Sequence, residues 1–382
     1  MLKVQRQVII LVVITLCLFI SCKNGDKLSG PLISFQIPKS GYKIEIGKTL
    51  PIAPIVVNDG NSTYSWSING KVVSSSKTFS FAPSRIGNYT LQLKVSNDIG
   101  SDDKMIQIAA FSNHSPYITQ VFDYQYGPGQ NATQITSDCK GGDFIGEPWI
   151  NSKKYTSLGG WGGYILAGFD HDVRNGDGVD FAIFTQPGPG SEPGIVSVMN
   201  DFNNDGIPND GEWLELKGSE YNHPETIHNY RITYYKPALK GNVTWKDNQG
   251  HRGELMPNYG TDTWWWSGNG NKSEVSYDGV RLPNAYVNIS ADSTIENWAV
   301  RKDLFSFGYA ECYSNLDYNI SLKANLFDIS NAVDNSGVKQ NLMGISFIKV
   351  QSAIFQVAGW LNEISPEISG AADLSLIEYS PN

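Results

Sequence analysis

Apolar and aromatic residues in this chain run in short alternating stretches, and Gly, Pro, Asn or Asp closes each one. No amphipathic period sustains a helix longer than about three turns. That pattern confines the chain to an all-β fold with many turns. The composition agrees where it bears on the point, with 38 Gly, 18 Pro and 12 % aromatic residues. At 382 residues there is room for about two or three domains with cores of their own. The formal net charge of −9, without a dense basic patch, excludes a nucleic-acid partner, because several phosphates would go unneutralised.

The N-terminus suggests an address. Lys3 and Arg6 precede residues 8–20, which are apolar apart from Thr15. This run is shorter than the roughly 20 residues a membrane-spanning helix needs, and it suits an export signal. It closes on Phe19-Ile20-Ser21-Cys22, which resembles the lipobox of bacterial lipoproteins. The resemblance implies cleavage after residue 21, a diacylglycerol on Cys22, and an outer-membrane or cell-surface location. Residues 22–30 then form the lipidated cysteine and a polar tether. Cys139 and Cys312 remain in the exported chain. An oxidising compartment permits a disulfide between them, and two buried thiols fit equally well.

Residues 31–111 carry strands at short spacing. Tyr42 to Ile46 and Thr63 to Ile68 alternate, and Asn69-Gly70 supplies a hairpin turn into Lys71. Trp66 is placed as a core tryptophan, and Gly87-Asn88-Tyr89 as a tyrosine corner. These features point to an immunoglobulin-like sandwich, and Tyr64-x-Trp66 with Gly87-x-Tyr89-x-Leu91-x-Leu93-x-Val95 resembles PKD-like domains. A spacer role is the simplest reading of this stretch. After a linker at residues 112–116, residues 117–382 read as a larger β-sandwich of jelly-roll or galactose-binding type.

One motif is sharp. Residues 201–212 fit the calcium-loop pattern, with Asp201, Asn203 and Asp205 at the inward positions and Gly206 at the turn. The Ile207 carbonyl, Asn209 and Glu212 complete the candidate ligand set for a structural Ca2+. The flanks read as strands, so the expectation is a calcium loop on a β-hairpin rather than an EF-hand switch. The alternative is a metal-free Asn/Asp/Gly turn. A second acidic loop, Asp170 to Asp180, matches no standard spacing; it holds a second ion, completes the first site or is a solvated turn.

Several motifs stand in order across residues 155–376: Leu158-Gly-Gly-Trp-Gly-Gly-Tyr-Ile165, Gly168-Phe-Asp-His171, the calcium-type loop, Tyr230-Arg-Ile-Thr-Tyr-Tyr-Lys-Pro237, and Gly359-Trp-Leu-Asn-Glu-Ile-Ser-Pro366. Together they resemble the large C-terminal domain of PKD-containing bacterial "cell surface protein" lipoproteins. That resemblance implies a secreted β-rich domain found with TonB-dependent transporters and other surface capture proteins, including cobalamin uptake systems. Phe305-Ser-Phe-Gly-Tyr-Ala-Glu-Cys312 departs from the family pattern.

The chain shows no nucleophile elbow, zinc helix or Gly-rich phosphate loop. His223 and His228 flank Glu225, but their spacing and Pro224 suit a surface loop. Acidic residues such as Glu192, Glu215 and Glu220 are too abundant to mark a glycosidase pair. Tyr259, Trp264, Trp265 and Trp266 form an aromatic cluster, with His251 and Arg252 nearby. On a loop they would make a ligand platform, and on a core strand they would be packing. The expectation is a non-catalytic surface lipoprotein that captures a glycan or corrinoid, partnered by a transporter or another surface lipoprotein. A glycan-active hydrolase and an adhesive surface protein are the alternatives.

Overall fold

The computed structural model describes residues 29–129, 141–148, 155–185, 190–238, 241–256, 266, 272–292, 294–313, 316–359 and 362–380. Cys22, Cys139, Tyr259, Trp264 and Trp265 lie outside these residues. The regular structure of the described residues is strand with short 3-10 turns, so the chain is all-β. Its contacts divide it into two compact units. One comprises residues up to Ile37 with Pro51–Phe79 and Thr90–Ile106; the other comprises Pro38–Leu50, Ser80–Tyr89 and everything from Gln107 on.

In the first unit, Thr63–Ile68 pairs antiparallel with Lys71–Ser74 and with the strand Gly87–Ser96, whose Leu91 to Ser96 face it. The Asn69-Gly70 turn has φ of 47° and 83°, the doubly positive geometry that a two-residue hairpin needs. Alternation along these strands buries Trp66, Leu91, Leu93 and Val95 while Lys94 stays exposed. Trp66 stacks on Phe79 at 5.6 Å and donates its indole N–H to the Ser76 carbonyl at 2.7 Å. Burying so large a ring without that acceptor would strand a donor in the core.

In the second unit, the Tyr89 hydroxyl donates to the Arg85 carbonyl at 2.9 Å, which is the tyrosine corner the sequence suggested. Two sheets build the main core. The larger orders Gln120–Gln125, Tyr164–Arg174, Gly344–Ser352, Gly194–Met199, Leu214–Leu216 and Ala332–Val333 as neighbours. The other contains Thr156–Ser157, Glu367–Asp373, Phe181–Thr185, Ala324–Phe327 and Tyr318–Asn319. Ile165, Val196, Ile348 and Val350 of the first meet Phe181, Ile183, Phe327, Ile368 and Ala371 of the second in one apolar cluster. Two sheets sharing one such layer form a sandwich.

A separate four-stranded sheet, built from Ile227–Tyr235, Val243–Asp247, Arg252–Leu255 and Glu274–Arg281, packs an aromatic cluster of its own. Trp161, Tyr230, Tyr234, Trp266 and Tyr277 belong to it. The Gly-rich run around Trp161 is packed backbone against backbone, which leaves no room for a side chain at two of its positions. A Cβ on Gly163 would lie 1.8 Å from the Leu158 carbonyl oxygen. One on Gly159, at φ +68°, would lie 2.3 Å from the Gly127 oxygen.

Candidate functional site

Three neighbouring strands of the larger sheet end together. The end of Tyr164–Arg174 carries Asp170, His171 and Asp172, the start of Gly344–Ser352 carries Ser346 and Phe347, and Gly194–Met199 leads into Asp201. The register between the first two shifts between Gly168 and Val173, where the pairing is interrupted. Such a bulge re-aims side chains that strict alternation would send to opposite faces. Asp170 and His171 therefore meet although they are consecutive.

Here the chain forms an open cleft of about 690 Å³. Its apolar wall is Phe122, Phe169 and Phe347, and Phe122 stands edge-on to Phe347 at 5.3 Å. Its polar rim includes His114, Asp170, His171, Asp172, Asp201 and Asp205. Ser346 joins the two acidic loops. Its hydroxyl donates to Asp172 Oδ1 at 2.5 Å and accepts the Asp201 amide at 3.0 Å.

The 201–212 loop joins Gly194–Met199 to Leu214–Leu216, which pair at Ser197 with Glu215 and Val198 with Leu214. It thus sits on a β-hairpin, as the flanking sequence indicated. Asp201 accepts the amides of Asp205 (3.1 Å) and Gly206 (2.8 Å), and Asp205 accepts that of Ile207 (2.8 Å). Asn204 and Gly206 take positive φ, 57° and 73°, to make the tight turn. Asn203 and Asn209 both donate to Asp205 Oδ2. Asp201, Asn203, Asp205 and Asn209 are therefore brought together. Asp210, absent from the expected ligand set, accepts from Asn203 at 2.8 Å. The Ile207 carbonyl accepts the Asn209 amide, and Glu212 is held by Asn335 at 2.5 Å.

A second cluster lies on the rim. His171 Nδ1 is 2.8 Å from Asp170 Oδ1, and its Nε2 is 2.9 Å from Asp373 Oδ2. His114 stacks on His171 at 5.0 Å, with its Nδ1 3.6 Å from Asp170 Oδ1. The Ser115 amide donates to the other Asp170 oxygen at 3.2 Å, which pins the 112–116 segment to the sheet end. Burial pulls the His171 pKa down, but the hydrogen bonds to Asp373 and Asp170 outweigh it and leave it raised. The sequence hinted at this cluster only through the Asp170-His-Asp172 run. His114 and Asp373 are distant in the chain, and only the fold joins them.

The other sequence candidates fall elsewhere. Trp266 is 1 % exposed within the aromatic core, so it is packing and not part of an exposed platform. His251 caps a hairpin turn through Asp247, which also accepts from Tyr230, and Arg252 is exposed on the following strand. His228 binds the Tyr221 carbonyl, and His223 accepts the Glu225 amide. Cys312 is buried, and its thiol donates to the Phe305 carbonyl at 3.0 Å. Glu192 sits beyond the end of Gly194–Met199 opposite the 201–212 loop and accepts the Ser365 amide at 2.6 Å. Six residues of strand, roughly 20 Å, separate it from that loop, so it cannot share a site with Glu212. Burial pushes its pKa up to about 7.

Residues 30–97 match the PKD-like domain family. The chain contains a PKD-like domain. A search of curated proteins finds no match. Among solved structures, the chain is similar to a quinonprotein alcohol dehydrogenase-like protein from Bacteroides thetaiotaomicron, at 16 % identity over 59 % of this chain, with a TM-score of 0.21. The match spans about half of that protein, 49 %. A SusE-like protein is similar at 7 % identity over 89 % of this chain and 96 % of its own, with a TM-score of 0.17. SGBP-B of a Bacteroides ovatus mixed-linkage glucan utilization locus, solved with a heptasaccharide, is similar at 11 % identity over 86 % and 100 %, with a TM-score of 0.19. Likenesses this distant assign neither fold nor ligand to the chain.

Proposed function

We propose that this is a lipid-anchored surface protein that captures glycan, without catalysis, in the cleft at the end of the larger sheet. The observation that carries the reading is the cleft's composition. A half-buried phenyl ring, Phe122, stands beside a rim of carboxylate, imidazole and hydroxyl groups drawn from neighbouring strands. A sugar offers an apolar C–H face to a ring and hydroxyls to acceptors, so it matches both halves. The carboxylates are already engaged: Asp170 with the Ser115 amide, Asp172 with Ser346, and Asp201 and Asp205 with loop amides. That favours fixed acceptors over a pair facing each other across a groove, which a hydrolase needs. No observation supports the corrinoid alternative.

The 201–212 loop is the calcium element of this proposal. Asp201 and Asp205 supply charge, and Asn203 and Asn209 supply amide oxygens, in the donor class a hard cation prefers. Bound there, Ca2+ would stiffen the hairpin that forms one side of the cleft. Lipidation at Cys22 would hold the protein at the outer membrane, where a TonB-dependent transporter is the proposed partner.

Isothermal titration of the exported chain, residues 23–382, against a panel of soluble polysaccharides tests the capture reading. Binding to at least one glycan is expected, at least tenfold weaker for Phe122→Ala. Unchanged binding in that variant, or silence across the panel, refutes it.

A further inference from the structure

His171 has a carboxylate oxygen opposite each ring nitrogen, Asp170 Oδ1 at 2.8 Å from Nδ1 and Asp373 Oδ2 at 2.9 Å from Nε2. A neutral imidazole carries one N–H and can satisfy only one of them. The second oxygen must face either a second proton or a metal ion. Asp373 is buried at 3 % exposure and holds the ring through Nε2, leaving Nδ1 facing Asp170 on the cleft rim. A carboxylate behind the ring, with the other nitrogen turned to a further ligand group in front, is how proteins orient metal-binding histidines.

The front side carries further donors. His114, Asp170 and His171 each offer a ligand atom, and these atoms all lie within 4.8 Å of one another. Among the described residues they are the one such group of three. Ligand atoms about 2.1 Å from a tetrahedral metal stand about 3.4 Å apart. The pairs measured here, 2.8 Å for His171 with Asp170 and 3.6 Å for His114 with Asp170, bracket that spacing. Two imidazoles and one carboxylate select an ion of the zinc class over calcium, which prefers oxygen. Three protein ligands at an open rim leave a position for water or for an oxygen of a bound molecule.

We propose that His114, Asp170 and His171 form a binding site for a zinc-class divalent ion, with Asp373 as its orienting residue. The site is separate from the 201–212 loop and does not depend on the glycan reading. The bulge in Tyr164–Arg174 is what makes it available, because it turns two consecutive side chains to one ion.

Co2+ titration of metal-stripped full-length protein reads the site directly. One Co2+ per chain is expected, with the visible absorption of a low-coordinate nitrogen–oxygen site. Zn2+ should displace it and millimolar Ca2+ should not. His114→Ala alters an exposed side chain and should weaken Co2+ binding at least tenfold while the protein stays folded. Asp373→Asn should weaken it about tenfold, the usual effect of removing an orienting carboxylate. Asp205→Ala should leave it unchanged. Absence of a Co2+ spectrum, equal affinity in His114→Ala, or displacement by Ca2+ would each overturn the proposal. So would a ¹⁵N spectrum showing His171 doubly protonated at neutral pH in the presence of Zn2+.

Discussion

Glu215→Gln should stabilise the protein at alkaline pH and barely affect it at acid pH. Glu215 lies half-buried in Leu214–Leu216, opposite Ser197 on one side and Val333 on the other. Burial pushes its pKa from 4.5 up to about 7, and the Lys217 charge only partly opposes the rise. Between those values the unfolded chain has released its proton while the folded chain keeps it. The unfolded state then binds fewer protons, so stability falls as pH rises through this window. At about 1.4 kcal/mol per pKa unit, the cost is about 3 kcal/mol at pH 8 and less than about 1 kcal/mol at pH 5. A neutral amide of the same shape removes that cost. Urea unfolding of both proteins, followed by tryptophan fluorescence at pH 5 and pH 8, measures it. The variant should gain about 3 kcal/mol at pH 8 and far less at pH 5. An equal difference at both pH values, or a loss at pH 8, would show that Glu215 ionises freely and that the argument from burial is wrong.

Asp205→Ala should abolish any rise in thermal midpoint on adding Ca2+, since it removes a charged donor at the centre of the loop; differential scanning calorimetry with and without chelator reads this. Tyr89→Phe should cost about 1 kcal/mol, the worth of its bond to the Arg85 carbonyl, measured by urea unfolding. Gly163→Ala forces a methyl group into the Leu158 carbonyl and should leave a chain that proteases digest readily, whereas wild type resists; a resistant variant would mean the Gly-rich run has slack.

Much of the strand pattern was legible because alternation and turn residues act locally. Thr63–Ile68 falls where the sequence placed it, and Asn69-Gly70 turns as that pair should. The hairpin under the 201–212 loop was legible for the same reason. The rim cluster was not. Consecutive strand residues are expected on opposite faces, and the bulge that brings Asp170 to His171 depends on how Gly344–Ser352 pairs, far along the chain. His114 and Asp373 likewise carry no local mark. For Trp266 the sequence left two readings open, a loop platform or core packing, and it lies in the aromatic core.

The position of Gly344–Ser352 also sets the order of events as the chain is made. This strand lies between Tyr164–Arg174 and Gly194–Met199 and pairs with both. Until it emerges, those two strands have no central partner, and each presents an open edge to its surroundings. More than 140 residues of chain must follow Gly194–Met199 before the sheet can close. Non-local pairing of this kind is slow, because the long loop must be ordered before any contact rewards it. The larger unit therefore completes this sheet only after residues 344–352 have been made. A truncation before residue 344 would leave two apolar strands, each with one unpaired edge, rather than a smaller working domain.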